Sequence, residues 1–100
     1  MKEKYELKSK VFLWSGDMAA WHFLGVSKKE SAKIKEKFSK LKKGFGSIPV
    51  EVKLGASVWK TSIFPDSKSG TYLLPLKASV RKTEDVFDGD EVRFSIEIQA

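Results

Sequence analysis

From residue 4 to residue 14 apolar and polar side chains take turns. Tyr5, Leu7, Val11 and Leu13 fall between Glu6, Lys8 and Lys10, the period of two that turns one face of a strand inward. Phe12 and Trp14 put apolar groups on the opposite face near the end of this strand, where another element or a partner is needed to cover them. After a Ser15-Gly16-Asp17 turn, residues 21 to 26 carry Trp21 and Phe23 on one face and His22, Leu24 and Val26 on the other. A strand apolar on both faces is expected in the middle of a sheet.

The period then lengthens. Ser27-Lys28-Lys29-Glu30 reads as a capping box, and Ile34, Phe38 and Leu41 follow at spacings of four and three. This predicts a helix over 28–43 whose narrow apolar stripe docks on the sheet while Lys29, Lys33, Lys37 and Lys40 face water. Lys42 and Lys43 suit the negative end of the helix dipole, and Gly44 suits the position after the last turn. Phe45-Gly46-Ser47 links this helix to a strand in which Ile48, Val50, Val52 and Leu54 alternate with Glu51 and Lys53.

Beyond a turn at Gly55, Trp59, Thr61 and Ile63 share one strand face and Lys60, Ser62 and Phe64 the other. Pro65 to Gly70 reads as a turn, and Thr71 to Leu74 as the returning strand, which Pro75 is expected to end because it has no N–H for the ladder. Leu76 and Val80, like Lys77 and Arg81, stand four apart and predict a short second helix. Asp88-Gly89-Asp90 then turns the chain into a last strand with Val92, Phe94, Ile96 and Ile98 inward and Glu91, Arg93, Ser95 and Glu97 outward. The order strand, strand, helix, strand thus occurs twice, from Tyr5 to Leu54 and from Val58 to Ile98. It predicts a mostly β chain folded as a small, mostly antiparallel barrel with pseudo-twofold character and two helices at its ends or flanks.

A length of 100 residues matches one domain over 1–100. With 41% hydrophobic and 32% charged residues, no apolar run approaches the length of a membrane span, and no membrane partner is expected. No signal-peptide h-region follows Met1-Lys2-Glu3-Lys4-Tyr5, so the cytoplasm is the expected compartment. The chain has no cysteine and a single histidine, His22, which excludes disulfides and leaves no conventional zinc site; no metal or cofactor is expected. Monomer and homodimer both fit.

The net charge of +6 and a pI near 9.6 point to anionic partners. Most of that charge is lysine, and Arg81 and Arg93 are the only arginines, so the chain carries little of the bidentate chemistry that reads base edges. A solvated lysine surface and a nucleic-acid footprint on the helix over 28–43 both fit this composition.

The stretch from Trp59 to Arg81 concentrates the candidate chemistry. Lys60, Lys77 and Arg81 supply positive charge, and Ser47, Ser62 and Thr71 supply hydroxyls. Trp59 or Tyr72 offers a flat wall for a base or ring, and the start of the helix after Pro75 adds backbone donors. The expectation is that the three cations converge on one hollow that holds a small anion, a nucleotide or a phosphorylated metabolite. The alternative is that Trp59, Tyr72 and Leu74 are core and the cations only line the surface.

Enzymatic motifs are missing. His22 has no nucleophile elbow or glycine-rich oxyanion loop near it. Asp66-Ser67-Lys68-Ser69-Gly70-Thr71 places a lysine where a calcium loop needs an acid and lacks the frame of a phosphate loop. Asp85, Asp88, Asp90 and Glu91 cluster around a turn, where solvation and turn bonding account for them. A binding module rather than an enzyme is expected.

GFGS at 44–47, WKTSIFPD at 59–66 and GTYLLPLKASVRK at 70–82 resemble the bacterial family of domain of unknown function nineteen-oh-five over nearly the whole chain. The resemblance implies a double-split β-barrel and no particular activity. Gly70 to Pro75, followed by Val80-Arg81-Lys82 and Asp88-Gly89-Asp90-Glu91-Val92, is also similar to the strand-Pro-helix-GD-strand signature of swapped-hairpin DNA-binding domains in transition-state regulators and antitoxins. Here Pro75 stands farther from Val80-Arg81 than in that signature, and the first half lacks the GD turn, so this likeness speaks for the fold rather than for DNA binding.

Overall fold

The structure is a computed structural model that describes residues 3–15, 20–38 and 46–99. The chain runs β1 (Lys4–Ser15), β2 (Ala20–Gly25), α1 (Lys28–Phe38), β3 (Ile48–Leu54), β4 (Ser57–Asp66), β5 (Thr71–Leu76), α2 (Ala78–Glu84) and β6 (Glu91–Ile98). All six strands pair antiparallel in a closed barrel of order β1-β2-β5-β4-β3-β6.

The two longest strands each serve two sheets in turn. Lys4 to Lys10 of β1 pair with β6, and Val11 to Ser15 then pair with β2. Likewise, Ser57 to Ile63 of β4 pair with β3, and Phe64 to Asp66 then pair with β5. This is the double split that the family resemblance implied. It relates β1 to β4, β2 to β5, α1 to α2 and β3 to β6 as two halves of one plan.

The inward faces follow the alternation of the sequence. Leu24, Ile34, Ile48, Val50, Val52, Ile63, Leu74, Ile96 and Ile98 are fully buried, and α1 contributes Ile34 to the same core. Ser95 departs from its expected outward exposure. It is buried at 7% exposure, with Glu6 and Lys53 as its register partners on the two flanking strands. Leu13, expected inside, is 43% exposed at the open end of β1.

Two prolines were expected to break strands and do not. Pro75 lies within β5 opposite Phe23, and α2 starts at Ala78 rather than Leu76. Tyr72 directs its backbone toward β2, since its carbonyl accepts the Val26 N–H at 2.9 Å. By alternation the Pro75 nitrogen faces the other side, from which β4 has already departed, so no ladder bond is missed. Pro65 continues β4 opposite Tyr72 for the same reason, because that pair exchanges no backbone bonds and the proline nitrogen points away.

The Ser27 hydroxyl accepts the Glu30 N–H at 3.2 Å and starts α1 as the sequence predicts. Lys40, Leu41, Lys42, Lys43, Gly44 and Phe45, like the Gly16-Asp17 turn, lie outside the described residues. At the first turn of α1 the buried Ser31 hydroxyl enters the β2–β5 ladder. It donates to the Val26 carbonyl and accepts the Tyr72 N–H, each at 3.1 Å, and so ties helix to sheet. No helix among the described residues is long and apolar enough to cross a membrane.

Candidate functional site

Where β4 leaves β5 after the Phe64–Leu73 pair, the two strands diverge and open a hollow of about 390 Å³. Trp59, Lys60 and Thr61 form its β4 wall, and Pro75 to Ala78 form its β5 and α2 wall. Arg81, one helical turn beyond Lys77, reaches the same hollow, as do Trp21 and His22 from β2. Lys60, Lys77, Arg81 and Trp59 therefore meet in one place although the chain separates them by up to two strands and a turn.

Among the described residues no carboxylate lines the hollow and none of Lys60, Lys77 and Arg81 forms an ion pair, although Glu51 stands opposite Lys60 in the β3–β4 register. The outer face of β1 and β6 makes a contrast: Lys8 there meets Glu91 at 3.4 Å and Lys4 meets Glu6 at 3.8 Å. Two lining residues also keep buried polar atoms without a protein partner, Arg81 through Nε and His22 through Nδ1. A buried polar group left unsatisfied costs roughly 1–3 kcal/mol, so each of these atoms would gain from a partner, as would the Tyr5 hydroxyl in the core.

The remaining predicted residues lie elsewhere. Tyr72 points into the core at 3% exposure, where burial pushes its phenol pKa up and keeps it neutral. Thr71 belongs to the hairpin turn, its hydroxyl 2.7 Å from the Ser69 hydroxyl. Ser62, opposite Pro49 on β4, and Ser47, just before β3, are half-buried and do not line the hollow. Asp66 organises the β4–β5 turn. It accepts from the Ser69 hydroxyl at 2.8 Å and from the Ser69 and Lys68 N–H groups at 3.3 and 3.4 Å. The Ser69 bond first, then these backbone donors and the Lys68 charge, hold its carboxyl pKa below the ordinary value.

The carboxylates near residue 88 act locally as well. Asp85 takes a left-handed φ of 56° as the C-cap of α2, Asp90 accepts the Phe87 N–H at 2.9 Å, and Glu91 pairs with Lys8. No group of three metal-ligating side chains occurs among the described residues. On α1, Lys28, Lys29, Lys33 and Lys35 are exposed, and Lys37 meets Glu3 at 3.3 Å.

Trp21 and His22 line the hollow although the sequence did not assign them to it. Alternation put them on a strand. Only the antiparallel β2–β5 register, with His22 opposite Leu76, brings them to the cations.

No curated protein matches the chain. A family model described as domain of unknown function (DUF1905) matches residues 8–96, from within β1 almost to the end of β6. With the match covering nearly every element of the double-split barrel, the chain belongs to the DUF1905 family.

Proposed function

We propose that the protein is a non-enzymatic binding module that holds a small anionic ligand, a nucleotide or a phosphorylated metabolite, in the hollow at the β4–β5 split. One observation carries this reading: Lys60, Lys77 and Arg81 converge there with no carboxylate among the described lining residues. Lys60 and Lys77 are exposed and Arg81 is half-buried, so their charged heads are open to a ligand phosphate, which would supply the counterion that the lining residues lack. Trp59 gives the site a flat side, and a volume of about 390 Å³ suits a phosphate group with part of its carrier.

The test is calorimetric titration with pyrophosphate, adenosine diphosphate and glucose 6-phosphate. Lys77→Ala and Arg81→Ala are each expected to weaken binding by roughly 1.5–3 kcal/mol, about ten- to hundredfold, the worth of a charged hydrogen bond. Lys29→Ala on α1 serves as the control and should leave binding unchanged. Heat signals absent for all three anions would end this reading. A second reading places nucleic acid on the exposed α1 lysines. It predicts that Lys29→Ala and Lys33→Ala weaken DNA binding and flatten its salt dependence, while Lys77→Ala does neither.

A further inference from the structure

The outer face of the β1–β2–β5–β4 sheet is aromatic and uncovered. Trp14 and Trp21 are 53% and 52% exposed, Phe12 and Phe64 39% and 43%. Phe23 lies half-buried between them with its ring 5.7 Å from that of Phe12. These four exposed rings are more than half of the large exposed hydrophobic side chains among the described residues. They line a largely apolar hollow of about 780 Å³, to which Asp66 and Lys68 also contribute one charge of each sign. β2 was expected in the middle of a sheet, and it is flanked by β1 and β5, but its Trp21–Phe23 face meets solvent.

This apolar hollow and the cationic one are continuous. Trp21, Thr61 and Pro75 line both. An occupant that crosses from one to the other meets flat rings and then Lys60, Lys77 and Arg81. With neighbouring strands about 4.8 Å apart, the four-strand face is on the order of 14 Å wide, room for several rings side by side.

We propose that this continuous surface is a track for single-stranded nucleic acid, with bases stacked on the exposed rings and the phosphodiester backbone entering the cationic hollow. The proposal rests on the anion reading of that hollow and names its ligand. Every base has a π-face, so a row of rings beside a cationic groove binds a strand with little regard to sequence, which agrees with the shortage of arginine for base-edge readout. A duplex keeps its bases stacked on one another and offers no faces to the rings. A second copy of the chain fits less well, because a net charge of +6 and a cationic edge without carboxylates would meet the same on its partner.

The experiment is fluorescence anisotropy of labelled eight-nucleotide oligothymidylate and oligouridylate, with thymidine monophosphate and an eight-base-pair duplex as competitors. Both oligomers are expected to bind, the stronger of the two telling DNA from RNA. The duplex should compete at least tenfold less well. Trp14→Ala and Trp21→Ala should each weaken oligomer binding by roughly fivefold to a hundredfold, and Trp21→Phe should restore most of the loss. If three cations meet phosphates, log K should fall with log salt at a slope of about −2.

Oligomer binding that is unchanged in Trp14→Ala and Trp21→Ala yet lost in Lys77→Ala overturns the track and leaves the anion hollow standing. Failure of oligomer and mononucleotide alike removes both readings. A dimer by sedimentation that dissociates in Trp21→Ala overturns the track in favour of self-association. Both tryptophans are half exposed, so their replacement leaves the core intact, and an unchanged melting temperature verifies it.

Discussion

Replacing Ser31 with alanine removes one oxygen and unseats a helix. The Ser31 hydroxyl stands in the β2–β5 ladder where a direct Tyr72 N–H to Val26 carbonyl bond would otherwise lie, and it serves both groups at 3.1 Å. At 2% exposure no water replaces it. Two backbone groups left unpaired cost roughly 1–3 kcal/mol apiece, so the expected loss is about 2–6 kcal/mol. For a chain of this size that lowers the melting temperature by on the order of 10–40 °C, a large part of a typical total stability of about 5–15 kcal/mol. Urea denaturation of Ser31→Ala beside wild type measures the difference. Ser31→Cys, which keeps a weak donor and acceptor, should fall between the two. Hydrogen exchange at the Tyr72 amide should quicken in the alanine variant. A loss under about 0.5 kcal/mol with Tyr72 exchange unchanged would refute the reasoning, since surface substitutions without special roles fall within that range.

Other consequences follow from single residues. Tyr5 buries its hydroxyl without a partner, so Tyr5→Phe should be neutral or stabilising by up to about 1 kcal/mol in the same denaturation assay. Gly55 begins the two-residue β3–β4 hairpin with φ 59°, and a Cβ there would collide with the Glu84 carboxylate, which accepts the Ser57 hydroxyl at 2.6 Å. Gly55→Ala should therefore cost about 1–2 kcal/mol from the backbone alone, and more with the collision, seen as a lower urea midpoint. The Asp66 carboxyl titrates below its ordinary range. Its contribution to stability is thus full above the unfolded-state value and is lost as pH falls through the lower folded value; a carboxyl NMR titration locates the shift, and Asp66→Asn should abolish that limb of the stability profile.

The barrel was legible because alternation is a local signal, and β1, β3, β4 and β6 show it on the face that became core. What escaped depended on neighbours. Whether a proline ends a strand turns on the direction of its nitrogen, and neither Pro65 nor Pro75 faces a partner strand. The cations could be grouped because Lys77 and Arg81 share a helical turn and Lys60 lies across one hairpin. Trp21 and His22 reach them only through a pairing some fifty residues long in sequence, which no local pattern records. Tyr72 was misplaced for the opposite reason: a strand has two faces, and its ring took the inner one. Ser31 carried a readable hint, three residues before Ile34 on the buried stripe of α1, but a small polar residue does not announce which backbone groups it will serve.

The alternation of halves around the barrel bears on how the chain can be divided. The first half contributes β1, β2 and β3, and the second half separates β3 from them by inserting β5 with β4 on one side and β6 on the other. Neither half owns a contiguous sheet, so each alone would leave bare strand edges and half a core. Cleavage between Gly55 and Ala56 should yield two fragments that are unstructured apart and that regain a fold only when mixed, interlocking as complementary pieces.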